Sequence, residues 1–335
     1  MRDNLLDYIK TIPKKEHHIH LDGSVFPYIL SQITDKKTQK YIESLYIKDI
    51  NQSIDSLANF LKPFQEINKL LQTSESLYIL SYELVRYFKE QNIVEVDVRF
   101  NPHLHILNWL TYEEILEAVW TGFQDWQKNY NFDTNIWLIL GADRELPENE
   151  VYSIFLKYIE AILKVRSKYH NLKISWFDLN CNEAWISASP MKHELALRMV
   201  QDRWFNIIIH AGEVINDNVL KRYWTLDPSL YVKQAVILWS KRIWHGILAQ
   251  YSDEAMSMLK ENNVEVEMNL TSNIQTNSIN DITQFPFKKY LDFWLKLSIN
   301  TDNPAISWIS LSEEIVRYIR ELNIDLEIIE KIIKV

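Results

Sequence analysis

Glycine is scarce in this chain, 5 in 335 residues, where average usage gives roughly 23. Collagen-like repeats are therefore excluded. Cysteine is nearly absent as well. Cys181 stands alone, so no internal disulfide and no multi-cysteine metal site can form. The opening residues lack the basic-then-apolar layout of a secretion signal, and with the lone thiol this gives a cytoplasmic expectation. No run approaches 18 apolar residues, so no membrane-spanning helix and no membrane partner are expected. Lys+Arg 36 against Asp+Glu 45 leaves a net charge of -9 with no basic block. A surface built to neutralise phosphates is not expected, nor is a nucleic acid polymer as partner.

Hydrophobic residues at 47% and charged residues at 24% are globular proportions. The length fits two ordinary domains or one closed α/β barrel. The pattern decides for the barrel. Apolar, β-branched runs of strand length recur at Glu16 to Leu21, Ile93 to Phe100, Asn135 to Leu140, Lys173 to Leu179, Phe205 to His210, Arg242 to His245, Val264 to Asn269 and Leu297 to Thr301. Between them lie amphipathic stretches, among them Leu77 to Lys89, Tyr112 to Gln127, Glu148 to Lys168, Lys192 to Gln201 and Asp253 to Glu261. Strand–helix alternation eight times over predicts a (β/α)8 TIM barrel, with residues 1–335 as one domain. About 70 residues separate the first two strands, more than one crossover needs. Ser53 to Glu66 reads as a helix there, either a lid over the mouth or an outer helix packed on the barrel.

The ends of the expected strands carry the chemistry. The first ends in His18-Ile19-His20, and a period of two puts both imidazoles on one face, about 7 Å apart. The fifth ends in His210-Ala211-Gly212-Glu213, the sixth in His245-Gly246, and the eighth in Thr301-Asp302-Asn303. Strand C-termini of such a barrel converge on one face. His18, His20, His210 and Asp302 then form an N3O donor set for one divalent ion, Zn2+ first, one per chain. Glu213 and His245 remain as acid–base groups beside it. A second pair, His103 and His105, falls on the loop after the second strand and is assigned to the mouth or surface.

These motifs, together with Leu21-Asp22-Gly23-Ser24, the strand Val96 to Phe100, Arg242 and Ser272-Asn273, resemble the adenosine deaminase family of the metal-dependent amidohydrolase barrels over nearly the whole chain. The resemblance implies a zinc aminohydrolase converting adenosine or 2′-deoxyadenosine to the inosine product and ammonia. It implies zinc on His18, His20, His210 and Asp302, proton exchange between Glu213 and the purine ring, and His245 orienting the attacking water. Addition at C6 needs a nucleophile that a metal can activate and a carboxylic acid of raised pKa to protonate N1. Asp22 falls where the family touches the ribose. Leu57, Phe60, Leu61 and Phe64 match the apolar lid over sugar and base, a spacing that also fits an ordinary core face. Ser272, Asn273, Asp97 and Arg99 are expected to brace the barrel. The implied partner is a small-molecule purine nucleoside. Alternatives are another adenine-bearing metabolite, namely a 5′-modified nucleoside, a nucleotide or free adenine, or a nucleoside-binding barrel without turnover.

Three features depart from the family. Asn303 replaces an aspartate that meets purine N7, and Cys181 adds bulk where a glycine meets the base. Trp109, Trp176, Trp204, Trp239, Trp244, Trp294 and Trp308, seven of 12 tryptophans, stand where glycine is common. Either the barrel is repacked around indoles, or these are UGA codons that the source organism reads as glycine.

Overall fold

A computed structural model describes residues 2–54, 57–183, 188–213 and 227–335. Eight strands are present: β1 Lys14–His20, β2 Ile93–Phe100, β3 Asn135–Asp143, β4 Ile174–Asn180, β5 Asn206–Ala211, β6 Arg242–His245, β7 Glu265–Met268 and β8 Lys296–Ile299. They pair in parallel and in chain order. The ring closes through a parallel bridge between Ile19 and Asp302. There the Asp302 amide donates to the His18 carbonyl and the His20 amide to the Asp302 carbonyl, at 2.9 and 2.8 Å. The closing contact thus sets Asp302 against both histidines of β1. A register shift between Glu16 and Ile19 is a bulge across this stretch, a device that re-aims side chains beside active sites.

Sequences such as Ile-Val-Glu-Val-Asp-Val-Arg-Phe in β2 favour strands because branched side chains pack well on a pleated surface. Their outward residues meet the helices in one large apolar core that includes Val96, Val98, Leu138, Leu140, Ile207 and Ile209. The lumen is different. It holds Ile139, Ile208 and Trp244, with Trp176 packed against them, alongside the buried Arg99, Arg242 and Glu267. Helices Glu148–Lys168 and Asp253–Glu261 have the bounds expected from periodicity. Helix Tyr112–Tyr130 starts at a capping box of Thr111 and Glu114 and stops at Asn131 in the left-handed region, so local signals set both ends.

Between β1 and β2 run helices Pro27–Ile33, Lys36–Ser44, Leu57–Phe60, Lys62–Leu70 and Ser74–Glu90. The single helix expected over Ser53 to Glu66 is a correction. The Ile54 amide bonds the Gln275 carbonyl at 2.8 Å, and the later helix is split in two at Leu61. Pro63 lies in the first turn of Lys62–Leu70, and a proline ring is tolerated in a first turn but not in a helix interior. No helix among the described residues is long and apolar enough to cross a membrane.

Candidate active site

The C-terminal ends of β1, β5, β6 and β8 converge as the strand order requires. His18, His20 and His210 offer ligand atoms within 4.8 Å of one another, and so do His18, His245 and Asp302. The Asp302 Oδ1 lies 3.0 Å from His18 Nε2 and 3.3 Å from His20 Nε2. His18 Nε2 is buried with no hydrogen-bond partner, a donor set turned towards a shared point. The opposite ring nitrogens have polar neighbours: His210 Nδ1 bonds Asp178 at 3.2 Å, and His18 Nδ1 faces the Asn269 amide nitrogen at 3.2 Å and Glu267 at 3.3 Å. The Asp178 carboxylate behind His210 fixes the tautomer that leaves Nε2 free for a metal. Burial holds His18 and His210 well below the usual histidine range, with neighbouring Arg99 and other imidazoles adding to the effect, and lowers His20 to about 3 against the opposing pull of Asp302. The three rings are therefore neutral near pH 7, the form that ligates a cation. These residues fit a bound divalent metal.

Glu213 follows β5 and faces the cluster, its Oε1 3.7 Å from His245 Nε2. Burial pushes its carboxyl up to about 7; the nearby Glu183 and Asp302 add to the rise and His245 opposes it. It is thus a proton donor near neutrality. His245 Nδ1 faces the side-chain amide nitrogens of Asn269 and Asn273 at 3.3 and 3.1 Å. Those amides donate to Nδ1, so Nε2 carries the proton and points towards Glu213. Both His245 and Asp302 have left-handed backbones, φ 61 and 67, conformations that non-glycine residues keep where the surroundings enforce them. Ser272 Oγ donates to Asp302 Oδ2 at 2.6 Å. Ser272 and Asn273 thus bond site residues directly, where bracing of the barrel was expected. Asp97 and Arg99 brace the lumen through separate partners, Asp97 with Arg242 at 2.5 Å and Arg99 with Glu267 at 3.2 Å.

A cavity of about 510 Å³ opens above the cluster. Its wall includes Asp22, Phe60, Leu61, Phe64, Cys181 and Asn303, together with His20, His210, Glu213, His245 and Asp302. The apolar stripe of the split helix is therefore at the mouth, with Phe60 and Phe64 rings 6.1 Å apart; the Leu57 side chain lies outside the described residues. Burial raises Asp22 to about 6. Asn303 keeps a buried Oδ1 without a partner, and that atom sits where a Cβ on Gly23 would be, 2.2 Å away, so Gly23 makes room for it. Cys181 is half-buried with φ 70. His103 and His105 stay out of the cluster: His103 bonds Tyr158 and His105 bonds the Leu71 carbonyl, both at 2.9 Å.

Sequence reasoning missed a clamp under Glu213. Arg144 pairs with Glu183 at 3.4 Å and also donates to the His210 carbonyl. Glu183 accepts from the amides of Gly212, at 3.1 Å, and Glu213. Its place just after β4, facing the end of the neighbouring β5, was the available signal. Asp178, Glu267 and Asn269 were missed as well, since each acts through a residue of another strand.

The chain matches the model of the family described as adenosine deaminase over residues 13–334. It belongs to the adenosine deaminase family. It is an aminohydrolase enzyme by that membership, and the family is metal-dependent. An adenosine deaminase of Clostridium kluyveri is 31% identical over 99% of this chain and 90% of its own. Among solved structures, the N6-methyl-AMP deaminase of Arabidopsis thaliana superposes with a TM-score of 0.76 at 23% identity, covering 97% of this chain and 90% of that one. An amidohydrolase of Burkholderia ambifaria with bound Zn gives 0.76 at 17% identity, with 96% and 84% covered. These two likenesses establish the TIM barrel fold.

Proposed function

We propose that this enzyme deaminates adenosine and 2′-deoxyadenosine hydrolytically, using one Zn2+ held by His18, His20, His210 and Asp302. The observation that carries the reading is a cluster of buried imidazoles around Asp302 with the buried Glu213 carboxyl beside it at the base of an apolar-roofed cavity. When bound, zinc lowers the pKa of water to about 7 and so supplies the nucleophile. The chain's residues perform the rest. Glu213 delivers its proton to purine N1 as water adds at C6, so the ring's negative charge never develops fully. His245, with its Nε2 proton facing Glu213, hydrogen-bonds the attacking water and steadies the developing charge. Asp302 accepts the proton that the water gives up and passes it to the departing amine. The C6–N bond then breaks and ammonia leaves; as the C6 carbonyl forms, the hydroxyl gives up its proton, which returns Glu213 to its acid form. Asp22 bonds the ribose, Asn303 offers its amide to N7, and Phe60, Leu61 and Phe64 shield the reaction from bulk water. Cys181 packs against the base.

Lys69 in the cavity wall is the feature that favours a second reading, a 5′-phosphorylated substrate such as AMP or a relative of it. Its ammonium is already paired with Glu66 at 2.7 Å, which favours the uncharged nucleoside. Ammonia release from adenosine, 2′-deoxyadenosine, adenine, AMP and a 5′-modified adenosine tests both. Turnover highest on the nucleosides supports the proposal; preference for AMP or adenine overturns the substrate, and silence on the whole panel overturns the activity.

A further inference from the structure

Among the described residues, thirteen non-glycine positions have φ between +46 and +70, and five of them are asparagine and five tryptophan. Asparagine tolerates the left-handed region because its short side chain bonds locally. Tryptophan has no such compensation. Trp109, Trp204, Trp239, Trp294 and Trp308 are 44% to 95% exposed, so core packing does not hold them there. Four of the five occupy the position that closes a Schellman-type turn. The amide after Trp204, Trp239, Trp294 and Trp308 bonds the carbonyl five residues back, in Val200, Ala235, Tyr290 and Pro304. The same closure follows Asn131, Asn263 and Asn277. Glycine is the usual occupant of this position and asparagine the second choice. Among the described residues these seven closures hold asparagine or tryptophan and never glycine.

A sixth tryptophan fails on space rather than backbone. Trp244 is fully buried in the lumen, directly under the histidine cluster. The Arg99 Cζ is 2.8 Å from its ring centroid, and the His210 ring centroid is 3.7 Å away. Carbon contacts open out at about 3.5–4.0 Å and edge-on rings at about 4.5–7 Å. The indole Nε1 has no hydrogen-bond partner. Trp176, with extended backbone in β4 and Arg242 at 4.6 Å, shows neither conflict. Trp120, Trp126 and Trp137 sit in regular helices or strands.

We infer that positions 109, 204, 239, 244, 294 and 308 are glycine in the chain its own cell makes, through UGA codons read there as glycine and written here as tryptophan. Drift would leave assorted bulky residues at left-handed sites; a single misread codon leaves one amino acid at all of them. UGA differs from the tryptophan codon UGG only in its third base. Glycine at 244 also clears the space beneath His18 and His210, which ties the inference to the proposed zinc site.

The gene's codons and the peptide masses of protein purified from the source organism test this together. UGA at the six positions, with each peptide lighter by the difference between tryptophan and glycine, is the expected result. The peptides carrying Trp120, Trp126 and Trp137 keep tryptophan. UGG codons or tryptophan masses at the six positions overturn the inference, and so does glycine at Trp120. A second measurement compares the printed chain with the variant carrying glycine at all six positions. The variant is expected to melt higher by about 2 °C or more per left-handed position and to bind zinc alone more tightly in equilibrium dialysis. Equal or lower melting and unchanged zinc binding count against glycine. None of these readouts depends on which substrate the enzyme takes.

Discussion

At the mouth of the barrel and in the layer of side chains beneath it, burial acts on titratable groups with opposite results. At the mouth it strips charge. His18, His20 and His210 are held neutral and Glu213 is pushed up to about 7. One layer down, partners win at His17, Glu265 and Arg242. His17 rises to about 9 against burial because Glu265 is 2.6 Å away and Glu95 also reaches it. Glu265 falls and Arg242 rises, each held in its charged form by its neighbours. Desolvation alone neutralises a buried group; an opposite charge at hydrogen-bond distance restores it. The mouth thus stores uncharged donors and a removable proton, while below it His17, Glu265 and Arg242 form an ionic frame in which burial still raises Glu267 to about 7 and lowers Arg99 to about 10.

The largest expected effect breaks the mouth alone. Glu213→Gln keeps the shape but removes the proton, and turnover should fall by about 10²- to 10⁴-fold with metal content unchanged. A rate of ammonia release near that of the parent enzyme would remove Glu213 from the mechanism. Chelation should abolish turnover as well, and zinc should restore it; activity persisting in metal-free protein contradicts the proposed zinc.

The frame should respond in stability rather than in chemistry. Asp97→Asn takes one of two carboxylates from the buried Arg242, which keeps Glu267 at 3.1 Å, so the cost should lie at or below the low end of the about 3 to 5 kcal/mol of a broken buried pair. Glu213→Gln, which deletes no pair, should move the denaturant midpoint little. Equal midpoint shifts for the two variants would erase the distinction between the regions.

A smaller effect links them. Glu183 touches the backbone of Glu213 and its charge helps hold the Glu213 proton. Activity needs that proton, so kcat should fall as pH rises through about 7. Glu183→Gln lowers the Glu213 pKa, and the descending limb should move to lower pH. A limb that stays in place while kcat drops marks Glu183 as structural only.

How far the sequence foretells all this follows the same division. The β-branched runs gave away all eight strands because local pattern and barrel agree there. The candidate site was legible because the expected metal ligands His18, His20, His210 and Asp302 and the acid–base group His245 all stand at or just past strand ends, where chain order brings them together. Glu183, Asp178 and Glu267 were not legible: each matters through a contact with a residue of another strand or its end, which no spacing in one segment encodes. The helix expected over Ser53 to Glu66 failed because apolar periodicity ran through Pro63, and the periodic signal outweighed the breaker.

Cys181 offers the finest test of the mouth. Its backbone is left-handed, φ 70, and its thiol lies 3.2 Å from the Asn180 side-chain oxygen in the cavity wall. Unlike the five exposed tryptophans it is half-buried among site residues, so part of its conformational cost is offset by packing. Cys181→Gly relieves a left-handed non-glycine, a gain of about 1 kcal/mol, less the contacts that the thiol makes. The net change should be a small rise in melting temperature, with the base-binding wall widened by one side chain. If the thiol merely crowds the base, KM for adenosine falls while kcat holds. A rise in KM instead would mean that the sulfur is a contact the base uses, and that the mouth has adapted to this cysteine.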